Sequence, residues 1–218
     1  SSMMTLSALL MALYRRTTTG VGDYIDVSMA DSLIAAVPNN MGSVFADKTP
    51  PVLSNERALG GYAMYQIYET LDERHIALGG SEIHFAEAIL NKLGRPDLLE
   101  LCKSPPGPQQ DLVKKFLTET FKGKEQSYWV EQFEDVNAAF APVKNLREAA
   151  DDIQIRHREM IVEDPNGLEH IGIPMKFLKE PGELKFKYAE VGQHTREILS
   201  QLGYSTSEQD AMRDGGVF

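Results

Sequence analysis

Residues 64–93 contain two short apolar segments and one amphipathic segment in direct succession. Residues 64–68 and 75–78 flank the polar tetrapeptide LDER, and residues 82–93 carry apolar side chains at helical spacing. Two apolar segments joined by a short polar turn are typical of a β-hairpin. The spacing that follows is typical of a helix with one buried face. This stretch therefore predicts a hairpin followed by a helix, and the order helix, strand, helix in residues 3–37 resembles part of an α/β layer.

Glu82 stands where the second predicted strand gives way to this helix, after Gly79, Gly80 and Ser81. One interpretation is structural: an acid in the first helical turn interacts favourably with the helix dipole, by about 0.3–1 kcal/mol, with Ser81 as the N-cap. The other is functional: the two glycines turn the backbone sharply beside a bound substrate and leave Glu82 at a cleft as a general base. The residues alone leave both interpretations open.

Gly60 and Gly61 pose a similar choice. They end a segment rich in polar and helix-breaking residues, residues 47–61, which we interpret as a linker or a loop over a cleft. The glycine pair serves either as a hinge or as a flexible gate above a bound substrate. A domain boundary is expected near residue 60.

Apolar periodicity predicts further elements on both sides of this region. Helices are expected in residues 3–16, 29–37, 111–121, 125–135 and 194–204, the first of them largely buried. Asn145 has a side chain suited to cap another helix. Alternating apolar residues predict short strands in residues 24–28, 159–164 and 168–174.

Charge and cysteine content exclude several classes of partner. The 32 acidic residues outnumber the 22 basic ones, and the basic residues are scattered, so no nucleic-acid partner is expected. The longest early apolar run, residues 8–14, is too short to span a membrane, and no membrane partner is expected.

The single cysteine, Cys102, excludes an internal disulfide, which fits a reducing compartment, and a cytoplasmic location is predicted. Its place at a helix end predicts a buried structural thiol.

Motifs that would reveal a reaction are absent. The sequence has no phosphate loop, dinucleotide fingerprint or nucleophile elbow. Its five histidines have no spacing that suggests a shared metal, so no metal site is expected. Composition and spacing alone leave the reaction open.

Four longer blocks in a fixed order carry more information than any single motif. They are SALLMALYRRTTTGVGDYIDVSMADSL, YAMYQIYETLDERHIALGGSEIHF, WVEQFEDVNAAFAPVKNLREAADDIQIRHREMI, and the pair GIPMKF and VGQHTREILSQLGY. Together they cover essentially all 218 residues, and they resemble the family III CoA-transferases, the CaiB/BaiF group that also contains the 2-methylacyl-CoA racemases. The one clear departure is Asp72-Glu73 in the hairpin turn, where relatives usually have Asp-Gly.

The resemblance implies an α/β fold in which part of a Rossmann-like large domain accompanies a smaller α+β domain. Residues 1–60 would belong to the large domain and its linker, residues 61–145 to the small domain, and residues 146–218 would return to the large domain. The abrupt helical start at Ser1 is then expected to mark a fragment that lacks the N-terminal half. Members of this family form interlocked homodimers.

The resemblance also implies where the chemistry lies. The transferases use a nucleophilic aspartate that would precede Ser1, and the racemases add an upstream histidine. Glu82 falls where the racemases place a further catalytic carboxylate, so we expect it to be a catalytic base. Gly60, Gly61, Gly79 and Gly80 are expected to border the substrate. Coenzyme A enters as a thioester substrate, and no cofactor is expected.

Three hypotheses follow for function. The first is transfer of CoA between carboxylic acids through an aspartyl intermediate. The second is α-proton exchange on a 2-methylacyl-CoA with Glu82 as one base. The third is a non-catalytic subunit that supplies a dimer interface, and the isolated chain is expected to be inactive.

Overall fold

A computed structural model describes residues 1–218 as a mixed α/β protein. Contacts within the chain define two compact units, Ser1–Val143 and Lys144–Phe218. The division into residues 1–60, 61–145 and 146–218 rests on the family resemblance and stays a prediction.

Three helices occupy the start of the first unit: α1 (Ser2–Thr19), α2 (Met29–Ala35) and α3 (Pro38–Asp47). The helix predicted for residues 3–16 is confirmed, but its predicted burial is wrong, because no residue of α1 is buried. Apolar periodicity identifies a helix with an apolar surface, and no element of the structure covers that surface. Ser32 is the only buried residue in the three helices.

The strand predicted for residues 24–28 is also wrong. Residues 21–28 have no regular secondary structure, because no neighbouring strand supplies their backbone hydrogen bonds. The following apolar segment is divided by Pro38, which occupies the first turn of α3 and separates that helix from α2.

A three-stranded antiparallel sheet forms the centre of the first unit. Its strands are β1 (Tyr65–Glu69), β2 (His75–Gly79) and β3 (Phe140–Pro142), in that order across the sheet. The predicted β1–β2 hairpin is confirmed, with Tyr68 opposite Ile76. The register places alternate residues of each strand on opposite faces of the sheet.

The hairpin turn explains how Glu73 substitutes for the usual glycine. Glu73 adopts the left-handed conformation, with φ of 59°. The Asp72 carboxylate accepts hydrogen bonds from the Thr70 hydroxyl at 2.6 Å and from the Gln126 backbone N–H at 3.1 Å. These bonds tie the turn to the start of a later helix and offset the strain of a left-handed non-glycine residue.

Four helices surround the inner face of the sheet: α4 (Ile83–Lys92), α5 (Leu99–Cys102), α6 (Asp111–Phe121) and α7 (Gln126–Phe133). The predictions for residues 82–93, 111–121 and 125–135 are thereby confirmed. Helix α6 packs on β1, and α7 packs on β3. The buried apolar side chains between Ala63 and Phe133 form one core.

Phe121 lies at the centre of this core. Its ring contacts Tyr68 with a centroid distance of 5.5 Å, and the Trp129 indole meets it edge-on at 5.1 Å. The Trp129 indole N–H donates to the Phe121 carbonyl at 2.9 Å. The largest aromatic side chain is therefore buried with its polar group satisfied.

Cys102 is buried in the same core, as predicted. Burial raises the pKa of its thiol to about 11. The thiol is therefore protonated at neutral pH, which agrees with a structural rather than a nucleophilic role.

The residues between β2 and α4 have different structural roles from those predicted from the sequence. Neither Gly79 nor Gly80 has a positive φ, so no sharp left-handed turn is made there. Gly80 is instead required by space, because a Cβ atom at this position would lie 2.8 Å from Cβ of Phe85. Glu82, and not Ser81, is the N-cap of α4, and the Glu82 side chain makes no capping hydrogen bond.

The second unit consists of short elements. Asn145 forms a reciprocal capping box with Glu148, which confirms the predicted cap. A second capping box, between Ser205 and Glu208, begins a final helix that the sequence analysis missed. The two predicted strands and the helix in residues 194–204 are confirmed. The elements are α8 (Leu146–Ala150), α9 (Ile153–His157), β4 (Ile161–Glu163), β5 (Glu169–Ile171), α10 (Thr195–Gln201) and α11 (Thr206–Asp214).

Asp164 organises the turn between β4 and β5. Its buried carboxylate accepts hydrogen bonds from the backbone N–H groups of Asn166 and Leu168, at 2.8 and 2.9 Å. The Tyr188 hydroxyl donates to the same carboxylate at 3.1 Å. Mainly because of the Leu168 bond, the pKa of Asp164 lies below its ordinary value.

Four charged residues connect α8 and α9 to β5. Arg147 and Arg156 each form ion pairs with both Asp151 and Glu169. The hydrogen bonds from Arg147 and then Arg156 lower the pKa of Glu169 to about 2. Because several charges share these bonds, the network holds one geometry better than an isolated surface pair would.

The glycine pair at the end of β2 predicts an asymmetric response to substitution. Gly80→Ala would force a Cβ into Phe85, so we expect a loss of about 1–3 kcal/mol in the free energy of unfolding. Gly79→Ala is the matched control, because its Cβ would meet Ala139 at an ordinary 3.7 Å, and we expect a change within about 1 kcal/mol. Urea unfolding measures both. Equal losses in the two variants would contradict this explanation of Gly80.

The ion-pair network predicts a stability change at acid pH. Because Glu169 has a lowered pKa in the folded protein, its contribution is present above about pH 4.5 and is lost as the pH falls towards about 2. Glu169→Gln should therefore flatten the fall of the thermal unfolding midpoint over this range. The exposed Glu180→Gln, outside β4 and β5, is the control. Identical pH profiles for Glu169→Gln and the unsubstituted protein would contradict the role of the network.

Candidate functional site

The outer face of the three-stranded sheet is an open apolar groove of about 750 Å³. Register pairs Tyr65 with Gly79 and Ile67 with Ala77 on this face, and Ala141 of β3 lies beside Ala77. The opposite face carries the core residues, so the groove results directly from strand alternation. The lining residues are Ala58, Gly60, Tyr65, Gln66, Ile67, Ala77, Leu78, Gly79, Ala138, Ala139, Phe140 and Ala141.

Residues 138–141 form one wall of the groove. The Gly79 N–H donates to the Ala139 carbonyl at 2.8 Å, which joins this wall to the end of β2. Three of the four side chains are methyl groups, so the wall leaves space open above the sheet. The sequence analysis missed these residues, although the run of small residues in NAAFA is the signal that marks a wall of this kind.

Gly60 and Gly61 have different structural roles. Gly60 lines the groove and has φ of 91°, a conformation that favours glycine. Its carbonyl accepts a hydrogen bond from the Gln66 side chain at 3.1 Å. Gly61 is buried behind the groove, where a Cβ would lie 2.6 Å from the Glu56 carbonyl oxygen. The structure thus places Gly60, but not Gly61, on the groove.

The two glycines at the end of β2 also differ in whether they line the groove. Gly79 lines the groove, whereas Gly80 is buried against Phe85. Of the four glycines predicted to border a substrate, Gly60 and Gly79 therefore line the groove, and Gly61 and Gly80 are buried and do not line it. A substrate role for all four stays a prediction.

Glu82 is exposed and is not among the residues that line the groove. It follows the groove residue Gly79 by three positions, and its carboxylate accepts a hydrogen bond from the Ser81 hydroxyl at 3.4 Å. Arg57 donates to that same hydroxyl, and its guanidinium lies 5.6 Å from the centre of the Tyr65 ring. Ser81 and Arg57 thus connect Glu82 to the aromatic side chain at the edge of the groove.

The groove and Glu82 together offer an apolar surface and one carboxylate, which limits the reactions that they can support. The groove can accept an apolar chain, and Glu82 supplies a carboxylate three positions beyond the lining residue Gly79. Arg57 was not predicted from the sequence, because 24 residues separate it from Ser81.

The structure contains no group of three or more His, Cys, Asp or Glu side chains placed to hold a metal ion. None of its helices combines the length and the apolarity needed to cross a membrane.

Comparison with characterised proteins gives a consistent set of relatives. Mouse and human alpha-methylacyl-CoA racemases are 27% and 28% identical to the chain, and each match covers 94% of the chain and 54% of the relative. Mouse succinyl-CoA:glutarate CoA-transferase is 24% identical, over 89% of the chain and 46% of that enzyme. The chain spans about half the length of the curated relatives it matches.

Solved structures and a family model agree with these relatives. A CaiB/BaiF family protein from Brucella suis has the same fold, with a TM-score of 0.69 and 18% identity over 92% of this chain and 53% of that one. A hypothetical protein from Mycobacterium tuberculosis has a TM-score of 0.65 and 17% identity over 88% of this chain and 51% of that one. The model of CoA-transferase family III matches residues 1–195. The chain therefore belongs to CoA-transferase family III.

Proposed function

We propose that the whole protein acts on acyl-CoA thioesters and exchanges the proton on the carbon next to the thioester carbonyl, with Glu82 as one of the two bases. The observation that carries this proposal is the exposed carboxylate of Glu82, three positions beyond Gly79, which lines an apolar groove. Both features are needed for this reaction: a surface for the hydrocarbon part of the substrate, and a proton acceptor beside it.

The surroundings of Glu82 support a role in proton transfer. Glu82 is the N-cap residue of α4, yet its side chain caps no backbone N–H, so the carboxylate is not used to hold the helix. Its hydrogen-bond partner is the neutral hydroxyl of Ser81, and no cation neutralises it directly. A carboxylate in such surroundings can take up a proton without breaking an ion pair.

Exchange with inversion needs a second base on the opposite side of the α-carbon. The family resemblance places that base, an aspartate with its histidine, in polypeptide that would precede Ser1. Glu82 would remove or return the proton on one face, and the second base would act on the other. The similarity to two alpha-methylacyl-CoA racemases supports this reaction.

The groove suits the acyl part of the substrate. Tyr65, Ile67, Ala77 and Ala141 offer an apolar surface, and Gly79 leaves room for close approach. Removal of apolar surface from water there favours binding by about 25 cal/mol per square ångström before the entropic cost of association. The acyl chain would therefore lie along the outer face of the sheet, with its thioester end towards Glu82.

Transfer of CoA between carboxylic acids, the first hypothesis from the sequence, is the second candidate. Relatives named as CoA-transferases support it, including the succinyl-CoA:glutarate enzyme. Its aspartate nucleophile would precede Ser1, and Glu82 would then border the site without forming the intermediate.

A non-catalytic subunit is the third candidate. A homodimer and a reaction without a cofactor belong to this proposal as expectations from the family, and a cytoplasmic location belongs to it as an expectation from the single cysteine.

Isotope exchange separates the two reactions. The full-length protein is incubated with 2-methylacyl-CoA in deuterated water, and separately with a donor acyl-CoA and a panel of carboxylic acids. Mass spectrometry then measures α-hydrogen washout and CoA exchange. We expect washout without exchange. Exchange without washout would replace the proposed reaction with CoA transfer, and the absence of both would favour the non-catalytic subunit.

A substitution tests the assignment of the base. Glu82→Gln keeps the size of the side chain but cannot accept a proton, so we expect the washout rate to fall by about 100-fold or more. Glu87→Gln is the matched control, because it removes another exposed carboxylate close by on α4, and its rate should stay within about twofold. Undiminished washout in Glu82→Gln would show that Glu82 is not a base.

A further inference from the structure

We propose that Arg57 is a positioning residue that holds the Glu82 carboxylate in place through the Ser81 hydroxyl. This inference rests on the proposed function of Glu82. It assigns a role to a residue in the turn before Gly60, on the other side of the groove edge from α4. The observation behind it is a continuous set of contacts that leads from Tyr65 to Glu82.

The hydrogen bonds give this set of contacts a direction. The Arg57 guanidinium can only donate, and it donates to Oγ of Ser81. A hydroxyl that accepts a bond in this way has its own proton free to donate, and the acceptor in range is Oε2 of Glu82 at 3.4 Å. Because the donor to Ser81 is charged, both bonds are strengthened. Arg57 thus turns the Ser81 proton towards Glu82.

The position of Arg57 is fixed at its other face. Its guanidinium lies over the Tyr65 ring at 5.6 Å, within the range of a cation–π contact. Tyr65 is held in β1 opposite Gly79, so the ring is part of the rigid sheet. Arg57 therefore contacts a side chain of the sheet at one face and the Ser81 hydroxyl before α4 at the other.

Arginine is better suited to this position than lysine. A planar guanidinium can stack on a ring and donate in its own plane at the same time, whereas an ammonium group has no plane to stack. Lysine would supply the charge without the stacked geometry. The proposal therefore predicts a graded response, in which Arg57→Lys retains part of the effect and Arg57→Gln loses it.

The kinetic consequence is confined to the chemical step. Without Arg57 the Ser81 hydroxyl can rotate, and the Glu82 carboxylate loses the bond that orients it. A misplaced base slows proton transfer but leaves the apolar contacts of the acyl chain intact. For α-hydrogen washout we expect Arg57→Gln to lower kcat by about 10- to 100-fold and to change KM by less than about twofold. A purely structural role would not produce this split.

Double variants test whether the three residues act together. We expect the kcat of Arg57→Gln combined with Ser81→Ala to equal that of either single variant, because both changes remove the same bond to Glu82. Arg57→Gln should have no further effect in a Glu82→Gln background. Such non-additivity identifies residues that act through one another.

Arg95→Gln is the matched control. Arg95 lies over the Phe116 ring at 5.1 Å and bonds to Asp97, so this change also removes an arginine that lies over an aromatic ring, but one that does not line the groove. Its washout rate should be unchanged. Thermal unfolding of every variant separates a loss of folded protein from a loss of rate.

The possible results separate failure of this inference from failure of the proposed function. If Glu82→Gln abolishes washout while folded Arg57→Gln keeps its kcat, Arg57 has no positioning role and the function of Glu82 stands. Multiplied losses in the double variants would also overturn the positioning role. Full washout in Glu82→Gln would overturn the proposed function and the role of Arg57 with it.

Discussion

The alternation of side chains along β2 determines both the core and the candidate site. Ile76 and Leu78 point to the inner face of the sheet, where the helices around Phe121 bury them, and Ala77 and Gly79 face outwards. A shift of one residue in the pairing with β1 would place Ile76 in the groove and Gly79 in the core. The hairpin turn at Asp72 prevents such a shift because its hydrogen bonds fix the strand register.

The same architecture separates the two interpretations of Glu82. An acid that serves as a helix cap accepts hydrogen bonds from backbone N–H groups, as Asp152 does at the start of α9. Glu82 occupies the cap position without making such a bond. The helix dipole still favours the carboxylate, but the side chain is directed to Ser81 and the groove edge. This difference within one chain supports a role for Glu82 beyond helix capping.

Local patterns predicted much of this structure, because a hairpin, an amphipathic helix or an Asn cap is determined by residues close in sequence. The errors concern features that depend on distant partners. Periodicity identified α1 but not its exposure, and alternation in residues 24–28 did not supply a neighbouring strand. Gly80 looked like a turn residue, whereas contact with Phe85 explains it. Arg57 was missed since its link to Ser81 exists only in the folded chain.

In the proposed complex an acyl chain lies along the outer face of the sheet with its reactive carbon beside Glu82. A crystal structure of the full-length protein with an unreactive thioether analogue of 2-methylacyl-CoA would show where the chain binds. We expect the chain against Ile67 and Ala77, with the α-carbon within about 3.5 Å of the Glu82 carboxylate. An acyl chain bound elsewhere, or a groove filled by other polypeptide of the protein, would contradict this expectation.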